Sequence, residues 1–416
     1  MRDKDLYQQI LGIERPWAVT HVDLNRAAQG VVVRVARDQR VALKCPVCAK
    51  RASGYDQRVR RWRHLDTCQF KTILEAEVPR VQCKEHGVHQ DSVPWAEEGS
   101  RFTALFESLV IDWLHEASVS GVASQVRLSW HEVSGIQERA VRRGLARRPQ
   151  IKATRIGVDE TSFQKRHEYV TVVVDQDEST VIHVADDRDK AALEGFYKEL
   201  GTDGCAALKS VAMDMWPAYI GATREYVPDA DERISFDKFH VAQHLGDAVD
   251  KVRRRENKEL LALGDDQLKG TRYSWLTNPE NMDPVVAWEF SELRESSLKV
   301  ARAWAIKEAA RPLWKYVSRT WARKAWLRWY GWAIRSRLEP VKKVARMVKR
   351  HLEGILTAVV AGVTNAASES INGTIQQLKR RANGYRNRER FRMAIYFHLG
   401  GLDMYPRSLR STHTKA

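Results

Sequence analysis

The chain has 416 residues, too many for one compact core and enough for about two to four domains. Its 43% hydrophobic and 29% charged residues exclude wholesale disorder. Its longest apolar run, Gly354 to Val363, is about half a bilayer span, which excludes a membrane protein. A charge of +16 and a pI near 9.6 point to a polyanionic partner, nucleic acid first. The opening Met1-Arg2-Asp3-Lys4-Asp5 lacks the apolar core of a signal peptide, so a cytoplasmic location is expected. Five cysteines in that compartment suit metal binding or inert burial better than a disulfide framework.

Residues 1–95 are β-rich, with Gly30 to Val35 as a strand, and hold four of the five cysteines. Cys45-Pro46-Val47-Cys48 and Cys83-Lys84-Glu85-His86 form two knuckles 34 residues apart. Each knuckle presents two soft ligands to one tetrahedral ion, so a structural Zn²⁺ on Cys45, Cys48, Cys83 and His86 is expected. His64, Cys68 and His89 compete for these places, whereas Cys205 reads as core.

From Phe102 to Leu114 apolar residues recur at helical spacing. Ser120–Leu128 and His131–Leu145 then read as two helices, with Ser129 able to cap the second. That spacing suits a helix-turn-helix, and Arg139, Arg142 and Arg143 are candidate DNA contacts near the end of the second helix. An ordinary helical hairpin with a solvated basic face would read the same way.

After Arg147-Arg148-Pro149-Gln150 the texture changes. Strands are expected at 155–159, 169–174, 179–184, 210–214 and 234–237, with helices after the third, fourth and fifth. This β-β-β-α-β-α-β-α order is that of a ribonuclease-H-like fold, although other α/β folds share it. Asp159 and Asp214 each close an apolar strand. If those strands are neighbours the carboxylates converge, and two close carboxylates ionise together readily only around a cation. Hard oxygen ligands suit Mg²⁺. A third acid, Glu369, shares a predicted helix face with Asn365 and Asn372. Asp175, Asp186 and Asp187 read as caps or turns.

Together these motifs resemble the DDE transposases of bacterial insertion sequences, specifically the ISL-three family. The resemblance rests on the Cys-Pro-x-Cys knuckle followed by Trp62-Arg63-His64-Leu65-Asp66, on the helix-turn-helix, and on Ile156-Gly157-Val158-Asp159-Glu160. It continues through Val211 to Trp216, Phe236-Asp237-Lys238-Phe239-His240, Asn365 to Asn372, and Lys379-Arg380-Arg381-Ala382-Asn383-Gly384-Tyr385. It implies Asp159, Asp214 and Glu369 as a catalytic triad holding two Mg²⁺ ions (Mn²⁺ as a substitute), with Asp237 and His240 nearby and Asn365 and Asn372 as accessory residues. It also implies a helical insertion, which falls on the stretch 251–350 that holds eight of the fourteen tryptophans. The sequence departs from the family in having His86 where a fourth cysteine is common.

The expected fold is therefore multidomain α/β: a zinc-knuckle domain and a helix-turn-helix, then a ribonuclease-H-like catalytic domain interrupted by an all-α insertion. The expected boundaries are 1–97 (zinc), 98–150 (helix-turn-helix), 151–250 and 351–400 (catalytic core), 251–350 (insertion) and 401–416 (tail). The expected activity is Mg²⁺-dependent cleavage and strand transfer at the terminal inverted repeats of an element. Double-stranded DNA is the expected partner, with a homo-oligomer forming on DNA, in a bacterial cytoplasm and associated with the nucleoid. Lys379, Arg380 and Arg381 are expected at phosphates, together with the basic string from Lys342 to Arg350. Most tryptophans of the insertion read as core, with Trp326-Leu327-Arg328-Trp329 able to supply a stacking ring for a distorted DNA end. The rival readings are a zinc-finger/helix-turn-helix regulator without catalysis and a nuclease that cuts without joining.

Overall fold

The computed structural model describes residues 2–164, 168–361 and 366–406. The chain divides into two compact units, 1–148 with 396–416, and 149–395.

The first unit begins with α1 (Asp3–Ile10) and β1 (Trp17–Asn25), followed by β2 (Gly30–Arg37), β3 (Ser53–Thr67), β4 (Phe70–Cys83) and β5 (Gly87–Gln90). The sheet order is β1-β2-β4-β3, with β5 beside β4. Alternate residues Val31, Val33 and Val35 of β2 turn inward, the period-two pattern of a half-buried strand. They pack with Trp17, Trp62, Leu74 and Trp95.

Three helices follow: α2 (Ala104–Glu116), α3 (Val119–Val126) and α4 (Trp130–Arg147). Each begins at a hydroxyl cap, Thr103, Ser118 or Ser129, as expected where the first N–H groups lack intrahelical partners. Ser129 and Glu132 cap reciprocally, which fixes the start of α4 one residue before the sequence expectation. Helix α3 stops at Val126, because Arg127 adopts a left-handed conformation with φ 56°.

The second unit is built on β6 (Arg155–Gln164), β7 (Glu168–Asp175), β8 (Thr180–Asp186), α5 (Lys190–Ala207), β9 (Ser210–Met213), α6 (Pro217–Tyr226), α7 (Ala230–Arg233) and β10 (Ile234–Phe236). Its sheet order is β10-β9-β6-β7-β8. Strands β6, β7 and β8 form an antiparallel meander, while β9 and β10 join β6 in parallel. Valine-rich β7 is buried on both faces, as a central strand requires.

Helices complete the unit: α8 (Lys238–Ala262), α9 (Arg272–Leu276), α10 (Pro284–Glu295), α11 (Lys299–Ala310), α12 (Arg319–Ile334), α13 (Glu339–Arg350), α14 (Leu352–Ala361), α15 (Ala366–Arg381) and α16 (Arg388–Leu399). Helix α16 runs from the second unit into the first. One continuous core joins sheet residues such as Val158 and Met213 to Trp275, Trp326 and Trp329 of the helical stretch. Helix α8 passes without a break through position 250.

Two sequence expectations change here. Trp326 and Trp329 are buried, so neither ring is available to stack on DNA; the exposed indoles of that stretch include Trp288 and Trp321. Trp113, placed on the apolar face of α2 by its spacing, is 39% exposed, whereas Glu107 on the same helix is buried.

Candidate active site and DNA-binding elements

Parallel pairing of β6 with β9 sets Val158 opposite Met213. The next residue along each strand is an aspartate, so backbone register alone brings Asp159 and Asp214 side by side. Asp159 lies within β6 and Asp214 just past the end of β9. The oxygens of Asp159, Glu160 and Asp214 lie within 4.8 Å of one another. Burial and the nearby charge of Asp214 push the Asp159 carboxyl up to about 7. Glu160 is raised for the same two reasons, burial first.

Two helices hold this cluster. Asp237 caps α8 through Phe239 N at 2.8 Å, and the first turn of that helix brings His240 Nε2 onto Asp214 Oδ1. The contact with Asp214 raises the His240 imidazole above its ordinary value. From α15, Asn372 Nδ2 donates to Asp159 Oδ2 at 2.6 Å, while Glu160 N donates to Asp159 Oδ1 at 2.8 Å. Gln376 Nε2 donates to Thr161 Oγ1 at 2.8 Å, and Lys379 Nζ donates to Ser162. Residues 372, 376 and 379 thus form one stripe of α15 against β6.

Glu369 lies one turn earlier on that stripe and is exposed. It stands outside the group of acids whose oxygens converge, and Glu160, which the sequence reading did not select, stands inside it. Asn365 lies outside the described residues. The buried oxygens Glu160 Oε2 and Asn372 Oδ1 have no hydrogen-bond donor. Buried acceptors without donors cost free energy, and a hard divalent cation would satisfy them. The donor set therefore fits Mg²⁺ or Mn²⁺.

In the first unit the two knuckles meet. Cys45 Sγ lies 4.0 Å from His86 Nδ1, Cys48 Sγ 3.8 Å from Cys83 Sγ, and Cys83 Sγ 3.5 Å from His86 Nδ1. A tetrahedral ion with Zn–S of about 2.3 Å and Zn–N of about 2.05 Å needs ligand edges of about 3.6 to 3.8 Å. The competing ligands are elsewhere: His64 shares a hydrogen bond with Thr103, Cys68 is exposed, and His89 Nε2 bonds the His86 carbonyl.

The matches with known proteins follow this division. Residues 156–395 match the family described as transposase in the ISL3 group. Residues 42–86 match the zinc-finger of transposases IS204/IS1001/IS1096/IS1165, and residues 92–141 match the helix-turn-helix domain of transposase family ISL3. The chain belongs to the ISL3 family of insertion-sequence transposases.

A relative of this ISL3 chain, the transposase for insertion sequence element IS1557 of Mycobacterium tuberculosis, is 30% identical over 93% of both chains. The transposase for IS1001 of Bordetella parapertussis is 28% identical over 84% of this chain and 87% of its own. The order zinc-finger, helix-turn-helix, transposase domain is thus the family's, on a mixed α/β framework. No described helix is long and apolar enough to cross a membrane.

The arginines of α4 differ in their surroundings. Arg143 is 8% exposed and pairs with Glu97 and Glu107; it also donates to the Met404 carbonyl. Arg139 pairs with Glu107 at 2.8 Å. A buried carboxylate has to be paired, so both arginines turn to Glu107, Arg143 buried and Arg139 at the margin. Arg142, 66% exposed, pairs with Glu138, and the Arg139 side chain stays 40% exposed. Lys379 is likewise turned onto β6, and burial lowers its ammonium pKa. Arg380 and Arg381 are exposed.

Proposed function

We propose that this transposase cuts and rejoins DNA by Mg²⁺-dependent phosphodiester chemistry at Asp159, Asp214 and Glu369. The observation that carries the reading is the convergence of Asp159 and Asp214 from adjacent parallel strands, with orphaned acceptor oxygens beside them. The strand order, meander first and two parallel strands after, supports a ribonuclease-H-like core. We assign that core to 151–250 and 351–400, the all-α insertion to 251–350, the zinc domain to 1–97, the helix-turn-helix to 98–150 and the tail to 401–416.

When bound, divalent cations would supply the Lewis acidity for activating a water or a 3′-hydroxyl and stabilising the leaving oxygen. Asp159 and Asp214 would hold them from the sheet, and Glu369 would complete the set from α15. Each oxygen of Asp159 accepts one bond, from Glu160 N and from Asn372 Nδ2, which fixes its orientation and leaves lone pairs for a metal. His240 orients Asp214 in the same way, with Asp237 setting the helix that carries it. The single site first hydrolyses the bond at an element end and then directs the freed 3′-hydroxyl onto target DNA.

The zinc-finger and helix-turn-helix recognise the terminal inverted repeats, with Zn²⁺ on Cys45, Cys48, Cys83 and His86 as a structural staple. Arg142, Arg380 and Arg381 serve as phosphate contacts. The protein works as a homo-oligomer on paired ends, in the bacterial nucleoid.

The test is cleavage and joining of a labelled duplex carrying the element's own end, in Mg²⁺, with wild type beside Asp214→Ala. Wild type is expected to cut and join, and the variant to bind the end and do neither. A variant that cuts as well as wild type refutes the assignment.

A further inference from the structure

At the edge of the acid cluster one cation is held differently from its neighbours. Arg188 follows β8 by two residues, and its guanidinium lies over two rings, 4.3 Å from the Tyr169 centroid and 4.6 Å from that of Trp216. Trp216 Nε1 donates to the Arg188 carbonyl at 2.9 Å, which locks the indole to the same segment. Arg188 Nη1 pairs with Glu160 Oε1 at 3.2 Å. Two ring contacts and the Glu160 pair restrict the guanidinium and leave its remaining N–H groups for bonding. Among the described residues, Nε and Nη2 meet no protein acceptor, and the side chain stays 34% exposed. The nearby Arg388 is used differently, pairing with both Glu168 and Asp187.

The three anchors adjoin the acid cluster, the cleft of the proposed reaction. Glu160 belongs to the converging acids, Trp216 lies two residues past Asp214, and Tyr169 sits on β7 opposite Ser162. A cleft lined by Asp159, Glu160 and Asp214 repels a DNA backbone, and a fixed cation on its rim offsets that repulsion. The remaining N–H groups of a clamped guanidinium match two oxygens of one phosphate, and little rotamer freedom is lost on binding.

We propose that Arg188 grips a DNA phosphodiester at the rim of the carboxylate cleft, as a substrate-contacting residue held ready by Tyr169, Trp216 and Glu160. The proposal rests on reading the cleft as the phosphodiester site.

The probe is a duplex carrying the element end, tested with wild type, Arg188→Gln, Arg188→Lys and the charge control Lys209→Gln. Lys209 is exposed and precedes β9, at the far end of that strand from Asp214. Removing one phosphate contact should make the slope of log K against log salt shallower by about 0.9 in Arg188→Gln, and leave it unchanged in the control. Arg188→Lys should keep the slope. Both Arg188 variants should lose about 10²-fold in single-turnover cleavage, because an ammonium cannot replace the fork.

A neutral methylphosphonate, moved one linkage at a time, should weaken wild type at one position where it costs Arg188→Gln nothing further. An unchanged salt slope, or identical methylphosphonate profiles, overturns the proposal. Loss of the cooperative melting transition in both Arg188 variants makes the residue a fold staple and also overturns it. If wild type binds the end and cuts nothing in Mg²⁺, the catalytic reading falls, while the slope and methylphosphonate profiles still report on Arg188.

Discussion

Glu107→Ala perturbs the helix-turn-helix at its most buried charge. The Glu107 side chain is 2% exposed and accepts from Arg139 at 2.8 Å, Arg143 at 2.9 Å and Ser100 Oγ at 2.9 Å. Removing one partner of a buried pair costs about 3 to 5 kcal/mol, chiefly through the charge left unpaired. Arg139 is 40% exposed and can turn to water, and Arg143 keeps Glu97, so the low end, about 3 kcal/mol, applies. In a unit of this size each kcal/mol shifts melting by about 2 to 4 °C, giving a fall of about 6 to 12 °C.

Scanning calorimetry of the full chain measures this shift, and the transition that moves on zinc chelation marks the first unit. Arg142→Ala, on the same helix but exposed, removes only a surface pair with Glu138 and should shift that transition by about 2 °C or less. If Glu107→Ala shifts the transition no more than Arg142→Ala, the inward commitment of Arg139 and Arg143 is wrong.

Elemental analysis should find one zinc per chain, lost in Cys48→Ser and kept in Cys68→Ser; retention in Cys48→Ser contradicts the four-ligand site. His64 is buried, and its pKa is lowered to about 4 by that burial and by Arg63. Its folded pKa lies below the unfolded 6.5, so its contribution is complete above pH 6.5 and fades as pH falls towards 4, by about 3 kcal/mol in all. His64→Gln should flatten the stability loss over that window. Zinc loss is common to both proteins, so parallel curves would refute the assignment. Gly354→Ala places a Cβ 2.5 Å from the Phe236 ring, and this overpacking should destabilise the second unit by about 1 to 3 kcal/mol in calorimetry. An unchanged second-unit transition contradicts it.

Much of this architecture is legible in the sequence because periodicity and register are local. The strand leading to Asp214 is four buried residues, three of them apolar, and Ser129 with Glu132 announces α4. What hid was set by contacts distant in sequence. Nothing local marks Glu107 as buried; its burial depends on Arg139 and Arg143 arriving from α4. The arginines read as a basic DNA face for the same reason. Glu160 follows Asp159 directly, and its joining of the cluster depends on how β6 presents successive residues beside Asp214. The doublet Asp159-Glu160 at an apolar strand was the available signal. Arg188 carried none, sitting in an acidic turn beside Asp186 and Asp187.

The most direct test of the carboxylate cleft is the binding of Mn²⁺, followed by its paramagnetic signal as the ion is titrated into the protein bound to its DNA end. The account predicts saturable binding to wild type that is lost in both Asp159→Asn and Asp214→Asn, with zinc content and DNA binding retained. Binding in both variants equal to wild type would show that the divalent ion sits elsewhere and would contradict the account.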